Sequence, residues 1–225
     1  MPRAHFFDAL DRSIATGAEA TLERLKSYGV TLVDADIPNV EVVHKAGNFP
    51  VLLYEAVVDL NAYLAANETG LDFAAVVAEV GSPNVRQILE PLLGDGGVEE
   101  SVYREALTVH RPRLQEIYTT YFAEQRVDAV IYPTVPVLPV LIDQPQSGAM
   151  EDGDTVPGIN LFDRNTGPAS NAGIPSLTMP SGVDENGLPL SFTLDAPVGE
   201  DDALLALGIA LEAVEPATPG PLLAW

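Results

Sequence analysis

The chain has 225 residues, 47% of them hydrophobic and 20% charged, a formal net charge of −22 and no cysteine. The missing cysteines exclude disulfides, thiolate metal sites and a cysteine nucleophile. Acidic residues outnumber basic ones 33 to 11, so nucleic-acid phosphates and anionic membranes are repelled, and neither is expected as a partner.

Only two lysines occur, Lys26 and Lys45. An acidic, lysine-poor chain suits a salt-rich cytoplasm, and a biased genome produces the same composition. No uninterrupted apolar run reaches the roughly 20 residues of a bilayer span. The longest, residues 203–211, stops at Glu212. The first eight residues lack the apolar stretch of a secretory signal. The expectation is a cytoplasmic protein.

Leu10, Ile14, Ala18, Leu22 and Leu25 fall on one helical stripe. Asp11 stands where an N-cap belongs, and Gly29 where a C-terminal glycine belongs. Residues 30–34, rich in valine and threonine, read as a short strand. A second stripe, Leu53, Val57, Leu60 and Leu64, predicts a helix over residues 50–66. Asp72 caps a short helix over residues 73–80. Ser82 followed by Pro83 opens another, to about residue 93. From residue 99 to about 125 the pattern is helical again. Pro112 should kink or split that helix, because it lacks an N–H and crowds the preceding turn.

At Asp128 the character changes. Residues 129–132 read as a strand ending at Pro133 and Thr134. Residues 138–170 are rich in Pro, Gly and Asp and read as loop. Residues 176–179 and 190–194 are strands, with Asn186-Gly187 between them as a hairpin signal. Asp201 caps a last helix to about residue 214. Its apolar residues run most of the way round, so burial is expected. Residues 216–225 read as an irregular tail. Helices and strands mix throughout, which makes the class α/β.

The search for chemistry is mostly negative. Ser181 and Ser147 lack the Gly-x-Ser-x-Gly of a nucleophile elbow. His5, His44 and His110 show no helical pairing and no metal-ligand spacing, so no metal is expected. His110 reads as a polar residue beside the carbonyls of a broken helix. The adjacent acids Glu99-Glu100 and Asp201-Asp202 suit helix starts rather than acid/base pairs. Gly94 to Gly97 carries an acid and no P-loop lysine, and no dinucleotide fingerprint occurs.

One set of motifs goes further. Asn171, Gly173, Pro175, Pro180 and Gly182, then Gly187 and Pro189, then Asp201-Asp202 before a leucine-rich helix, resemble the amidase-signature family. Asp128 to Thr134 resembles that family's Asp-apolar-Pro-Thr strand end. Residues 49–63 and 103–112 resemble the branch of indoleacetamide and mandelamide hydrolases. The family also includes an amidotransferase subunit. Ser191 departs from it, where glycine is usual.

The resemblance implies an α/β/α sandwich with a mixed central sheet, of which residues 1–225 are one incomplete domain, the C-terminal half. It implies hydrolysis of a small carboxamide to acid and ammonia, by a serine–serine–lysine set and without cofactor. Those residues lie in a Gly/Ser-rich N-terminal portion that this sequence does not contain, so no catalytic residue carries over. Pro133, Thr134, Asn165, Thr166 and Asn171 carry over as candidate wall of the substrate pocket. Each of them has a structural rival in turn or strand-end chemistry, and that rival is the favoured reading.

Met1 stands where the family has a strand residue, often valine. That suggests a start placed inside a longer gene, or a split gene. The expected partners are a small amide substrate and either an N-terminal amidase half or a second copy. The alternatives are a non-catalytic binding subunit or a degenerate remnant.

Overall fold

The computed structural model describes residues 1–139, 149–151, 154–156 and 162–215. Ser147 and the tail, residues 216–225, lie outside them. Helix α1 spans Arg12–Ser27. Asp11 caps it as expected, its Oδ1 accepting from the Ser13 N–H at 2.8 Å. Gly29 follows at φ +89°, a left-handed conformation that glycine adopts without strain. Residues 30–34 form no assigned strand. Instead, the Val33 carbonyl accepts from the Met1 ammonium at 2.6 Å, and the Met1 carbonyl accepts from the Ala35 N–H. That alternation is the pattern of a parallel pair.

Helix α2 spans Val40–Ala66 and starts ten residues before the expected boundary, running through Pro50. Packing decides this over propensity, because its first turns bury Val40, His44 and Gly47 against neighbouring elements. By length and composition alone α2 is long and apolar enough to cross a membrane, a test that core helices of soluble proteins also pass. Glu55 and Asp59 interrupt its apolar sequence.

Helices α3 (Phe73–Ala78) and α4 (Pro83–Leu89) form where their caps predict. Asp72 accepts from the Ala75 N–H at 2.8 Å. A 3₁₀ turn, Glu90–Leu93, follows α4.

Helices α5 (Glu100–Glu105) and α6 (Arg111–Gln125) are separated by a π turn, Ala106–His110. The split falls just before Pro112, whose ring crowds the carbonyl four residues back and widens the turn. His110 Nε2 lies 3.9 Å from a carboxylate oxygen of Glu105.

Strands β1 (Val130–Pro133), β4 (Ser176–Val183) and β5 (Pro189–Asp195) form an antiparallel sheet in the order β1-β5-β4. The Asn186-Gly187 hairpin is present. The Asp184 carboxylate accepts from the Asn186 and Leu188 N–H groups, and the ladder shifts register between Pro180 and Gly182. Within the stretch expected to be loop, β2 (Ala149–Glu151) pairs with β3 (Asp154–Val156), and Gly167–Ala172 forms helix α7. Helix α8 spans Asp201–Glu212. Asp201 is its first residue, and Glu200 holds the cap position.

Strand alternation sorts the core into two layers. Ile131, Phe192 and Leu194 face α1 and α8, with Leu22, Leu25, Leu204 and Leu211. Val130 and Tyr132 face α6, with Leu114, Tyr118 and Phe6. Helix α8 is less buried than its composition implies. Leu204, Gly208 and Leu211 pack inward, whereas Ile209 is 71% exposed, because one face alone meets β4. Among the described strands, β1 and β4 each keep one unpaired edge.

Candidate functional site

The C-terminal ends of β1 and β4 and the N-terminal end of β5 lie at the same end of the sheet, because β5 runs antiparallel to both. Helix α1 crosses above this end. Between helix and sheet lies a cavity of about 370 Å³, with Pro133, Leu138 and Phe162 among its lining residues.

Of the expected pocket residues, the structure brings three together. Pro133 ends β1 and lines the cavity. Its carbonyl accepts from Asn165 Nδ2 at 2.6 Å, and the same nitrogen donates to the Phe6 carbonyl at 2.9 Å. Asn165 is fully buried, and its Oδ1 accepts from Arg164 Nε at 3.2 Å. It therefore ties the N-terminal segment, the end of β1 and the approach to α7 into one corner. Thr134 bonds to β5 on both counts. Its N–H donates to the Ser191 carbonyl, and its hydroxyl accepts from Thr193 at 2.9 Å.

Thr166 and Asn171 lie further along. Thr166 opens α7, and its carbonyl accepts from the Ser170 N–H. Asn171 is buried in α7 on the side of α2. Its Nδ2 would sit 3.3 Å from a Cβ added at Gly47 and has no hydrogen-bond partner among the described residues.

Residues far apart in sequence join this corner. His5 Nε2 bonds to the Arg164 carbonyl at 3.1 Å, and its Nδ1 faces Glu41 at 3.6 Å. His44 packs so tightly on Gly167 that an added Cβ would come within 2.8 Å of its Nε2. Burial, helped by His5 and Lys45, pulls His44 down to about 4, so the ring is neutral at pH 7.

Beneath the other face of β5, Asp195 is wholly buried. It accepts from the Tyr132 hydroxyl at 2.8 Å and from the Ser176 hydroxyl. Burial pushes Asp195 up to about 6, against the two hydrogen bonds that favour its charged form. The buried phenols of Tyr118 and Tyr132 are raised well above their ordinary value. Nothing in local sequence flags these groups. Asp195 stands just past the strand expected over residues 190–194, and His5 and His44 read as unrelated polar residues. Ser181 is buried, and its carbonyl accepts from Arg24 at 3.1 Å.

Among the described residues no three His, Asp or Glu side chains converge as a metal site requires. What the corner does present is an apolar hollow beside a rigid polar frame. A layered α/β structure with such a hollow at one end of its sheet has the build of a small-molecule site.

Comparison with known proteins narrows the class. The amidase family profile matches residues 1–205. The chain is 35% identical over 212 residues to an indoleacetamide hydrolase of Allorhizobium ampelinum (strain ATCC BAA-846 / DSM 112012 / S4), covering 94% of this chain and 46% of that protein. It is 31% identical over 213 residues to a mandelamide hydrolase of Pseudomonas putida, covering 90% of this chain and 41% of that one. A solved amidase structure superposes with a TM-score of 0.73 at 25% identity, over 96% of this chain and 45% of the other. The chain belongs to the amidase family. It spans less than half the length of the relatives it matches, and its fold is the corresponding part of the amidase-signature α/β fold.

Proposed function

We propose that this chain is the C-terminal part of an amidase that hydrolyses a small aryl carboxamide to the acid and ammonia. One observation carries the reading. Similarity to the two named hydrolases runs through nearly the whole chain yet spans under half of theirs. The nucleophilic serine and its partners belong to the other half, supplied by a preceding segment or a second polypeptide. That serine attacks the amide carbonyl, the C–N bond breaks and ammonia leaves with the proton. Water then cleaves the acyl ester and restores the serine.

The residues present here build the wall and the frame. Asn165 holds the end of β1, Pro133 lines the hollow, and Thr134 ties the end of β1 to β5. The unpaired edges of β1 and β4 are where further strands would add. The reading places the working enzyme in the cytoplasm, with neither a nucleic-acid nor a membrane partner.

The test is complementation. The chain is co-produced with the N-terminal half of the Allorhizobium ampelinum indoleacetamide hydrolase, and ammonia release from indoleacetamide is measured. Release by the pair, with none from either half alone, is the expected result. A stable pair that releases none would count against the reading.

A further inference from the structure

We propose that the hollow beneath α1 seats the aromatic ring of the substrate, an inference that rests on the amidase reading above. The first argument is size. Packed cores leave few voids larger than a water molecule. This one holds about 370 Å³, within the roughly 300–1,000 Å³ of small-molecule sites. It is not sealed, since Phe162 in its lining is 38% exposed.

The second argument is what the walls offer. Phe7, Ile14, Leu22, Ile131 and Phe192 supply carbon surface from α1, the sheet and the N-terminal segment. Three of the polar groups at the lining are engaged elsewhere. The Thr21 hydroxyl donates to the Gly17 carbonyl at 2.9 Å. The Ser181 carbonyl is covered by Arg24. The Tyr132 hydroxyl is turned to Asp195 on the far side of the sheet. A polar occupant would exchange its hydration for few partners, whereas an apolar one gains by burial alone.

The third argument favours an aromatic ring over an aliphatic chain. Phe7, Phe162 and Phe192 give edges and faces for ring contacts. Phe7 itself carries the Arg3 guanidinium 4.5 Å over its ring. The carboxamide would then project past Pro133 towards the corner held by Asn165.

The experiment is an NMR titration of the 225-residue chain with indoleacetamide, and with acetamide as the ringless control. Saturable shifts are expected with indoleacetamide alone. Intermolecular NOEs should run from its ring protons to the Ile14, Ile131 and Leu138 methyls. Ala18→Phe, which fills the hollow from α1, should weaken binding at least tenfold. Absence of those NOEs, or equal binding by acetamide, overturns the proposal. The NOEs are read on the unmutated chain, so a poorly folded variant does not rescue or sink it. The two readings also fail separately. A complemented enzyme that turns over indoleacetamide without ring contacts here leaves the amidase and removes the pocket. Ring contacts here in a complemented pair without turnover do the reverse.

Discussion

The two ends of α2 sit in different worlds. Its first turns belong to the body of the molecule, where His44 and Gly47 press on α7 and the π turn. Its last turns belong to an arm made with α3, α4 and the 3₁₀ turn, whose buried centre is Phe73, Val77 and Leu92. The body packs helices on both faces of a sheet and buries long rows of side chains. The arm leaves Leu52, Val58, Tyr63 and Leu71 at least half exposed. Two devices tie it down at the side. Tyr54 stacks on Tyr103 with ring centroids 4.1 Å apart, and the Tyr103 hydroxyl donates to Glu55 at 2.9 Å. One continuous helix thus joins a region of high packing density to one of low density. Stability should be distributed the same way.

The largest expected effect lies in the body. Leu114 is fully buried among residues of the sheet and α6, so Leu114→Ala should cost roughly 2–5 kcal/mol in denaturant unfolding. Phe73→Ala should instead speed amide exchange in α3 and α4 while sparing the sheet. If it lowered global stability as much as Leu114→Ala, arm and body would be one cooperative unit and the contrast would break.

The next test sharpens the contrast through pH, since the body buries ionisable groups of opposite behaviour. Asp195 is raised to about 6 in the fold. The stability it contributes is complete below its unfolded value near 4 and is lost as pH rises through 6. His44 is lowered to about 4. Its contribution is complete above its unfolded value near 6.5 and is lost as pH falls towards 4. Asp195→Asn should therefore gain on the wild type by roughly 3 kcal/mol between pH 4 and 7. His44→Gln should lose by a similar order over the same span. Unfolding curves of both variants at a series of pH values would show the opposed slopes, and parallel curves would refute the assignment.

Asn165→Ala comes third. It leaves the Phe6 and Pro133 carbonyls without their donor, at about 2 kcal/mol. Thermal unfolding measures the cost, and amide exchange at the end of β1 should quicken with it. The smallest effect belongs to the arm. Asp72→Ala removes the cap of α3 for about 1 kcal/mol. It should be visible in local exchange and nearly silent in global unfolding.

Sequence alone was informative where structure is local. The caps at Asp11, Asp72 and Ser82, the break at Pro112 and the Asn186-Gly187 hairpin each depend on a few neighbouring residues. The family was also legible, through motifs spread in order along the chain. What needed the fold was everything decided by residues distant in sequence. Val30 to Asp34 lost its strand assignment, because a ladder needs partners that sequence does not reveal. Helix α2 ran through Pro50 because tertiary packing outweighed one missing N–H. Asn165 stood out in the sequence as a candidate, but its place as the tie between Phe6 and Pro133 did not. The hollow under α1 and the buried Asp195 were invisible beforehand. A cavity and a desolvated carboxylate are properties of surfaces brought together, and no single stretch of chain carries either.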